Sequence, residues 1–311
     1  MMEKKSLRTA YGQTLVELAE TMPELVVLEA DLSKSTMGKL FGDKYPNRFF
    51  EMGIAEANMA GVAAGLSLTG KIPFMASFAV FATGRCYDQL RNGICLPKLN
   101  VKICGSSAGL SDYGDGSTHQ SVEDIALMRV LPNMQVFSPV DAVQTAQIVR
   151  YMAENEGPMY IRINRNDLPV YTNASEPFEV GKVYTLRKGN DVAIFATGVM
   201  VSLAMEAAEK LQTQNISVRV VNVPSVKPID KDAVLDICSQ VRIIVTAEEH
   251  SVIGGLGSLI ADIISEHSPK KVVKVGVQDK FGTSAQDYKT ILDAYGLTVE
   301  AIANAVITTS K

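Results

Sequence analysis

Apolar positions along this chain alternate between two kinds of run, and the alternation itself predicts an architecture. Over residues 9–22 the spacing of Leu15, Val16, Leu18 and Ala19 is helical, and the pattern stops at Met22-Pro23. Residues 25–28 (Leu-Val-Val-Leu) then form a short continuous apolar run, as expected of a strand buried on both faces, and the chain leaves it through Glu29-Ala-Asp31-Leu-Ser-Lys-Ser35. The succession recurs. Residues 72–81 read as a strand leading into a helix with Arg85, Tyr87 and Arg91; strands at 101–104, 134–137 and 159–163 are separated by helices over 122–130 and 142–155. Strands alternating with helices in this way predict a parallel, doubly wound sheet.

Residues 168–183 break the rhythm with Pro169, Pro177 and no period, and the alternation resumes at 191 with strands over 192–196, 218–222 and 242–246. The fold class expected is therefore α/β with two doubly wound domains, residues 1–170 and 189–311, joined by a linker over 171–188. Gly254-Gly-Leu-Gly257 opens a helix of the second domain, where close packing of helix on sheet accounts for the glycines. Backbone approach to a ligand is the other reading.

One stretch resists the pattern. From Glu51 to Gly70 the chain is Gly, Ala and apolar residues almost throughout, without a basic residue between Arg48 and Lys71. Such a segment is expected to be a buried helix with small residues admitting close neighbours. Glu56 then has no local partner. A lone buried carboxylate is expected to have a raised pKa, which suits proton transfer; the competing reading is an acid placed at a helix N-terminus by the dipole.

A second unusual stretch runs from Gly105 to Asp124, a loop rich in Gly and Ser that leaves a strand and enters a helix at roughly Ser121. Loops of this kind are often functional. His119 is expected just before the helix, where the dipole keeps an imidazole neutral; a surface histidine is the alternative. Arg165, in Asn164-Arg-Asn-Asp167, again follows a strand.

Composition narrows the function classes. A net charge of -4 argues against nucleic acid as a partner, and no apolar run reads as a membrane span or signal-peptide core, so the cytoplasm is expected. Cys86, Cys95, Cys104 and Cys238 show no CxxC pair and no histidine at ligand spacing, so they read as core thiols, with no metal site in this chain.

Glu56 in its small apolar helix, Phe78 to Phe81 after it, the loop Gly114-Asp-Gly-Ser-Thr-His-Gln120, Arg165, Asp31-Leu-Ser-Lys-Ser35 and Ser138-Pro-Val-Asp141 together resemble the C-terminal half of transketolase. The resemblance covers nearly all of residues 5–311. It implies a thiamine diphosphate pyrimidine-binding domain followed by a transketolase C-terminal-like domain. It also implies roles: Glu56 contacts the aminopyrimidine ring and promotes the imino form, and Phe81, with Phe78 beside it, stacks on that ring. His119 matches a contact to the donor sugar's hydroxyl and carbonyl oxygens, Asp115 a contact to an acceptor hydroxyl, and Asp31 a residue near the cofactor. Arg8, Ser35 and Arg165 match anchors of a sugar phosphate, for which a guanidinium fork is suited.

Two departures from the family pattern matter. Where the family often has a phosphate-binding histidine, near Gly105, this chain reads Cys104-Gly-Ser-Ser-Ala108, and two extra residues precede the Gly-Asp-Gly. Substrate identity is thereby opened. The domain holding diphosphate and Mg²⁺ (or Ca²⁺), marked by Gly-Asp-Gly followed by Asn-Asn, is also missing, and Gly114-Asp115-Gly116 leads into a different loop. The resemblance therefore implies a split enzyme: an N-terminal partner subunit brings most of the metal site, in a dimer of heterodimers. The alternatives are the beta subunit of a 2-oxo acid dehydrogenase, deoxyxylulose-phosphate synthase, and a non-catalytic assembly protein with this fold.

Overall fold

The computed structural model describes residues 2–310. Its larger sheet has seven strands, in spatial order Ser225–Lys227, Gln135–Phe137, Met159–Arg162, Lys102–Ser106, Ile72–Phe78, Leu25–Glu29 and Phe49–Glu51. The pairings are parallel except at Ser225–Lys227, which runs antiparallel to Gln135–Phe137. That strand comes from the second half of the chain, so the two halves share a sheet edge. The second sheet orders Val272–Val277, Ile243–Ser251, Val192–Ala196, Val218–Asn222 and Tyr184–Arg187, parallel but for the last. Tyr184–Arg187 lies inside the stretch expected to be linker; it is a partly exposed edge strand, which leaves no apolar run to read.

The first helix is Leu7–Leu18, displaced from the expected 9–22 because Ser6 caps it, its hydroxyl accepting from the Thr9 amide at 3.2 Å. It packs on Ala142–Glu154. Asp141 caps that second helix through Oδ1 to the Gln144 amide at 2.8 Å, while Oδ2 accepts from the Tyr171 and Thr172 amides at 2.7 Å each. One carboxylate thus starts a helix and fixes the chain leaving the first sheet. A short antiparallel pair, Lys4–Ser6 with Asp167–Pro169, closes the same region.

The helix Glu56–Ser67 buries Glu56, Met59, Ala60 and Ala63, the face spaced i, i+3, i+4, i+7. The expectation of burial on all sides fails. Ala57, Gly61 and Gly65 are exposed, and a Cβ built on Gly61 or Gly65 meets nothing within 4 Å. Small apolar side chains permit burial without enforcing it, so the sequence pattern does not distinguish a covered face from an open one.

The stretch Tyr288–Thr309 is apolar enough over 22 residues to cross a membrane by length and composition, contrary to the expectation that no such run exists. In the fold it forms two helices, Tyr288–Ala294 and Val299–Ser310, separated at Gly296, whose φ is +68°. Ile291, Leu292, Ile302, Ala303 and Val306 belong to the core.

Lys102 lies fully buried in a central strand, its Nζ donating to the carbonyls of Asn155 and Gly157 at 2.6 and 2.9 Å. Burial lowers its pKa to about 7. Between that value and the unfolded value near 10.5 the unfolded chain binds a proton that the folded chain does not, so stability rises with pH there and is lost as pH falls through about 7. Urea melts at about pH 7.5 and 8.5, a window below the ordinary value of the thiols that burial raises in Cys86, Cys95, Cys104 and Cys238, are expected to show this rise, at most ~1.4 kcal/mol per pH unit, and Lys102→Met to flatten it.

Candidate active site

The carboxyl ends of the first sheet's strands collect most of the residues singled out by the sequence. Glu56 begins its helix just beyond Phe49–Glu51, and its carboxylate is 3% exposed. It is not unpartnered. Arg85 Nη1 lies 3.2 Å from both carboxylate oxygens, and Ser77 Oγ donates to Oε1 at 3.4 Å. The absence of local bases was real, but the partner arrives from a segment 29 residues later.

Arg85 reaches Glu56 because Phe81–Arg85 forms a π-helical turn rather than the regular helix expected. Widened turns of this kind recur at functional sites. The Arg85 guanidinium lies 3.9 Å above the centre of the Phe81 ring, and Phe78 and Phe81 are near parallel, 13° apart with centres 6.1 Å apart. Arg85 itself is half exposed. A planar cation with N–H groups therefore occupies the face of Phe81 while bonding a buried acid.

His119 packs edge-on against Phe81 at 5.3 Å and Phe78 at 6.2 Å, its Nδ1 2.9 Å from Thr118 Oγ1. Its expected place at a helix start is corrected: the helix begins at Asp124. Ser121 is held instead by paired backbone bonds with Gly109, at 2.8 and 3.1 Å, which close the neck of the loop. The aromatic pair, not a helix dipole, is what His119 meets.

Arg165 also lies by Phe78, 5.8 Å from the ring centre, and 2.9 Å from Asp112. Burial raises the Asp112 pKa against the pull of Arg165. Arg8 donates to the Ser35 carbonyl at 2.8 Å while its buried Nε has no hydrogen-bond partner among the described residues; burial, then the positive charge of Arg165, lower its pKa. Arg8, Arg165 and the Ser35 segment thus form one cationic patch. Asp115 is exposed on the loop, and Asp31 is exposed at its strand exit with φ +60°, its amide donating to Glu51 at 2.6 Å. Among the described residues no hydrogen bond, ion pair or ring contact joins either to the Glu56 cluster.

A Cβ built on Gly105 falls 2.2 Å from the Tyr160 hydroxyl, which donates to Asp124 at 2.7 Å. The space in which the family often places a histidine is filled by a tyrosine that cannot withdraw. Sequence reasoning missed Arg85, Asp112 and Tyr160. Arg85 had a signal, one turn after Phe81; the other two had none without the fold. A recess of about 500 Å³ near Lys71, Lys98 and Asn155 lies at the strands' amino ends, away from all these groups. Among the described residues no three His, Cys, Asp or Glu side chains are grouped to hold a metal ion.

Residues 3–170 match the family described as transketolase, pyrimidine binding domain, and residues 181–302 match transketolase, C-terminal domain. A Methanocaldococcus jannaschii protein named provisionally as a transketolase C-terminal section is 43% identical over 99% of this chain and 97% of its own length. A 6-deoxy-6-sulfo-D-fructose transketolase subunit from a Clostridium species is 42% identical over 98% of this chain and 94% of its own. A solved split-gene transketolase, described as an inactive beta4 tetramer, is 50% identical and superposes with a TM-score of 0.89 over 98% of both chains. The chain belongs to the transketolase family, as a C-terminal section made of the pyrimidine-binding and C-terminal domains.

Proposed function

We propose that this chain is the C-terminal subunit of a two-chain, thiamine-diphosphate-dependent transketolase that moves a two-carbon ketol unit from a ketose phosphate to an aldose phosphate. The observation that carries the reading is the Glu56–Arg85–Phe81 arrangement, with a flat N–H cation stacked on a ring and bonded to a buried acid. An aminopyrimidine needs the same two partners, so these residues fit the cofactor when Arg85 turns toward the solvent it already half faces. The bound cofactor supplies the carbanion chemistry of ketol transfer.

On this reading Glu56 holds a proton at the pyrimidine ring nitrogen, and Phe81 and Phe78 present the stacking face, with Asp31 on the same strand-end rim. His119, already against both rings, orients the donor's hydroxyl and carbonyl oxygens, and Asp115 meets an acceptor hydroxyl. Arg8, Arg165 and Ser35 hold the terminal anion; the buried Nε of Arg8 has no hydrogen-bond partner among the described residues, so that guanidinium keeps a donor unused. A terminal sulfonate is the second reading, favoured by the filled space over Gly105 and by the Clostridium relative named for a sulfosugar.

The diphosphate and Mg²⁺ fall to an N-terminal partner subunit. The solved relative described as an inactive beta4 tetramer supports a need for that partner. The open Ala57, Gly61 and Gly65 face, with Ile54 and Leu68 each 73% exposed beside it, offers apolar surface for another subunit in a dimer of heterodimers.

Thiamine diphosphate and Mg²⁺ titrated calorimetrically into this chain, into a diphosphate-domain partner and into their mixture are expected to bind productively only in the mixture, with ketol transfer seen there alone. Tight metal-dependent binding by the isolated chain would overturn the division of labour. Glu56→Gln is expected to leave assembly intact and reduce turnover by at least about a hundredfold, as loss of positioned acid–base catalysis does; substantial retained activity removes Glu56 from the mechanism. Arg85→Ala is expected to destabilise the isolated chain by about 1 kcal/mol, held low by solvent screening of the half-exposed guanidinium, and less when Glu56→Gln is already present. Thermal melts of the four-variant cycle read that coupling.

A further inference from the structure

The loop bearing Asp115 and His119 belongs to the first domain, yet much of what fixes it comes from the second. Glu249, buried near the end of the strand Ile243–Ser251, accepts from the Leu110 amide through Oε1 at 2.9 Å and from Asn164 Nδ2 through Oε2 at 3.1 Å. Leu110 begins the loop; Asn164 begins the turn that presents Arg165. Asn164 cannot turn over, because its Oδ1 accepts from the Asn166 amide at 2.8 Å and its Nδ2 also donates to Tyr288 at 2.6 Å. Further along the loop, Gln120 donates to the Thr283 carbonyl at 3.0 Å and the Ala285 amide donates to the Tyr113 carbonyl at 2.8 Å. A Cβ on Gly109 would strike Glu249 at 2.5 Å, so glycine there keeps the carboxylate in place.

We infer that Glu249 is a positioning residue: its two carboxylate oxygens set the loop of Asp115 and His119 against the turn of Arg165, and so fix the spacing between the groups that meet a sugar's carbonyl end and those that meet its terminal anion. The inference rests on the ketol-transfer reading for its consequence and on the contacts alone for its geometry. Glu249 touches no reacting atom. Its replacement by glutamine keeps an oxygen for Leu110 but turns an amide N–H toward the N–H of Asn164, a donor facing a donor.

In the assembled enzyme Glu249→Gln is expected to raise the donor KM about tenfold, the scale of one lost buried hydrogen bond, with kcat changed less than about threefold and cofactor affinity within about twofold. The double variant Glu249→Gln, Asn164→Asp restores an acceptor opposite the new amide, and its donor KM is expected within about threefold of the parent. Hydrogen–deuterium exchange of Glu249→Gln should quicken in residues 110–120 and 164–167 and not in the second sheet. Unchanged exchange in both segments, an unchanged donor KM, or a double variant no better than the single one overturns the inference. If the parent mixture shows no ketol transfer while exchange quickens in both segments, the positioning stands and the transketolase reading falls; transfer with unchanged exchange has the reverse meaning.

Discussion

Much of the site hangs on one buried ion pair. Arg162, at the end of a central strand, bonds Asp124 through Nε at 2.9 Å and Nη2 at 3.1 Å, and Nη2 also reaches the Glu249 carbonyl at 3.2 Å. Both side chains lie in the interior, where an unpaired charge would be strongly destabilising. Asp124 also takes the Tyr160 hydroxyl, and Tyr160 fills the space over Gly105. One pair therefore fixes the start of a helix, the floor of the candidate substrate region and the approach of the second domain.

That domain brings acids of its own to the junction. Burial pushes Glu248 and Glu249 up to about 7. Glu248 is held at the start of a helix by the amides of Leu256 and Gly257 at 2.6 and 2.8 Å, and a Cβ on Gly255 would fall 2.0 Å from its Oε2. Packing thus accounts for the glycine run there, with a carboxylate rather than a ligand as the group approached. Removing either acid leaves amides unsatisfied, so the junction tolerates change poorly.

The α/β class and the strand positions were legible because parallel strands buried on both faces leave continuous apolar runs between helices. Glu56 and His119 stood out against those runs, whereas Phe81 lies within one and was singled out only by the family resemblance. Arg85 was not legible, because its value depends on a π-helical turn that carries it onto Phe81, and local periodicity assigns that segment an ordinary helix. Tyr184–Arg187 and Ser225–Lys227 were missed for a different reason. Short edge strands gain stability from a neighbour remote in sequence, and their own residues show little of it.

The groups that meet at the first sheet's rim divide by chemistry. Around Phe81 the structure offers an aromatic face and a buried acid; near Phe78 it offers Arg165, coupled to Arg8, whose Nε has no hydrogen-bond partner among the described residues. A substrate spanning the two would need a polar reacting end beside His119 and an anionic far end, which a sugar phosphate or sugar sulfonate supplies and a neutral sugar does not. With Gly105 sealed by Tyr160, an imidazole cannot add to the far end from that strand. On the proposed reading, recognition of an anion there would rest on guanidinium geometry, and Arg165 is already turned toward Asp112. An anion bound on this reading would have to compete with that carboxylate, whose pKa burial raises, so that its hold on Arg165 weakens as pH falls.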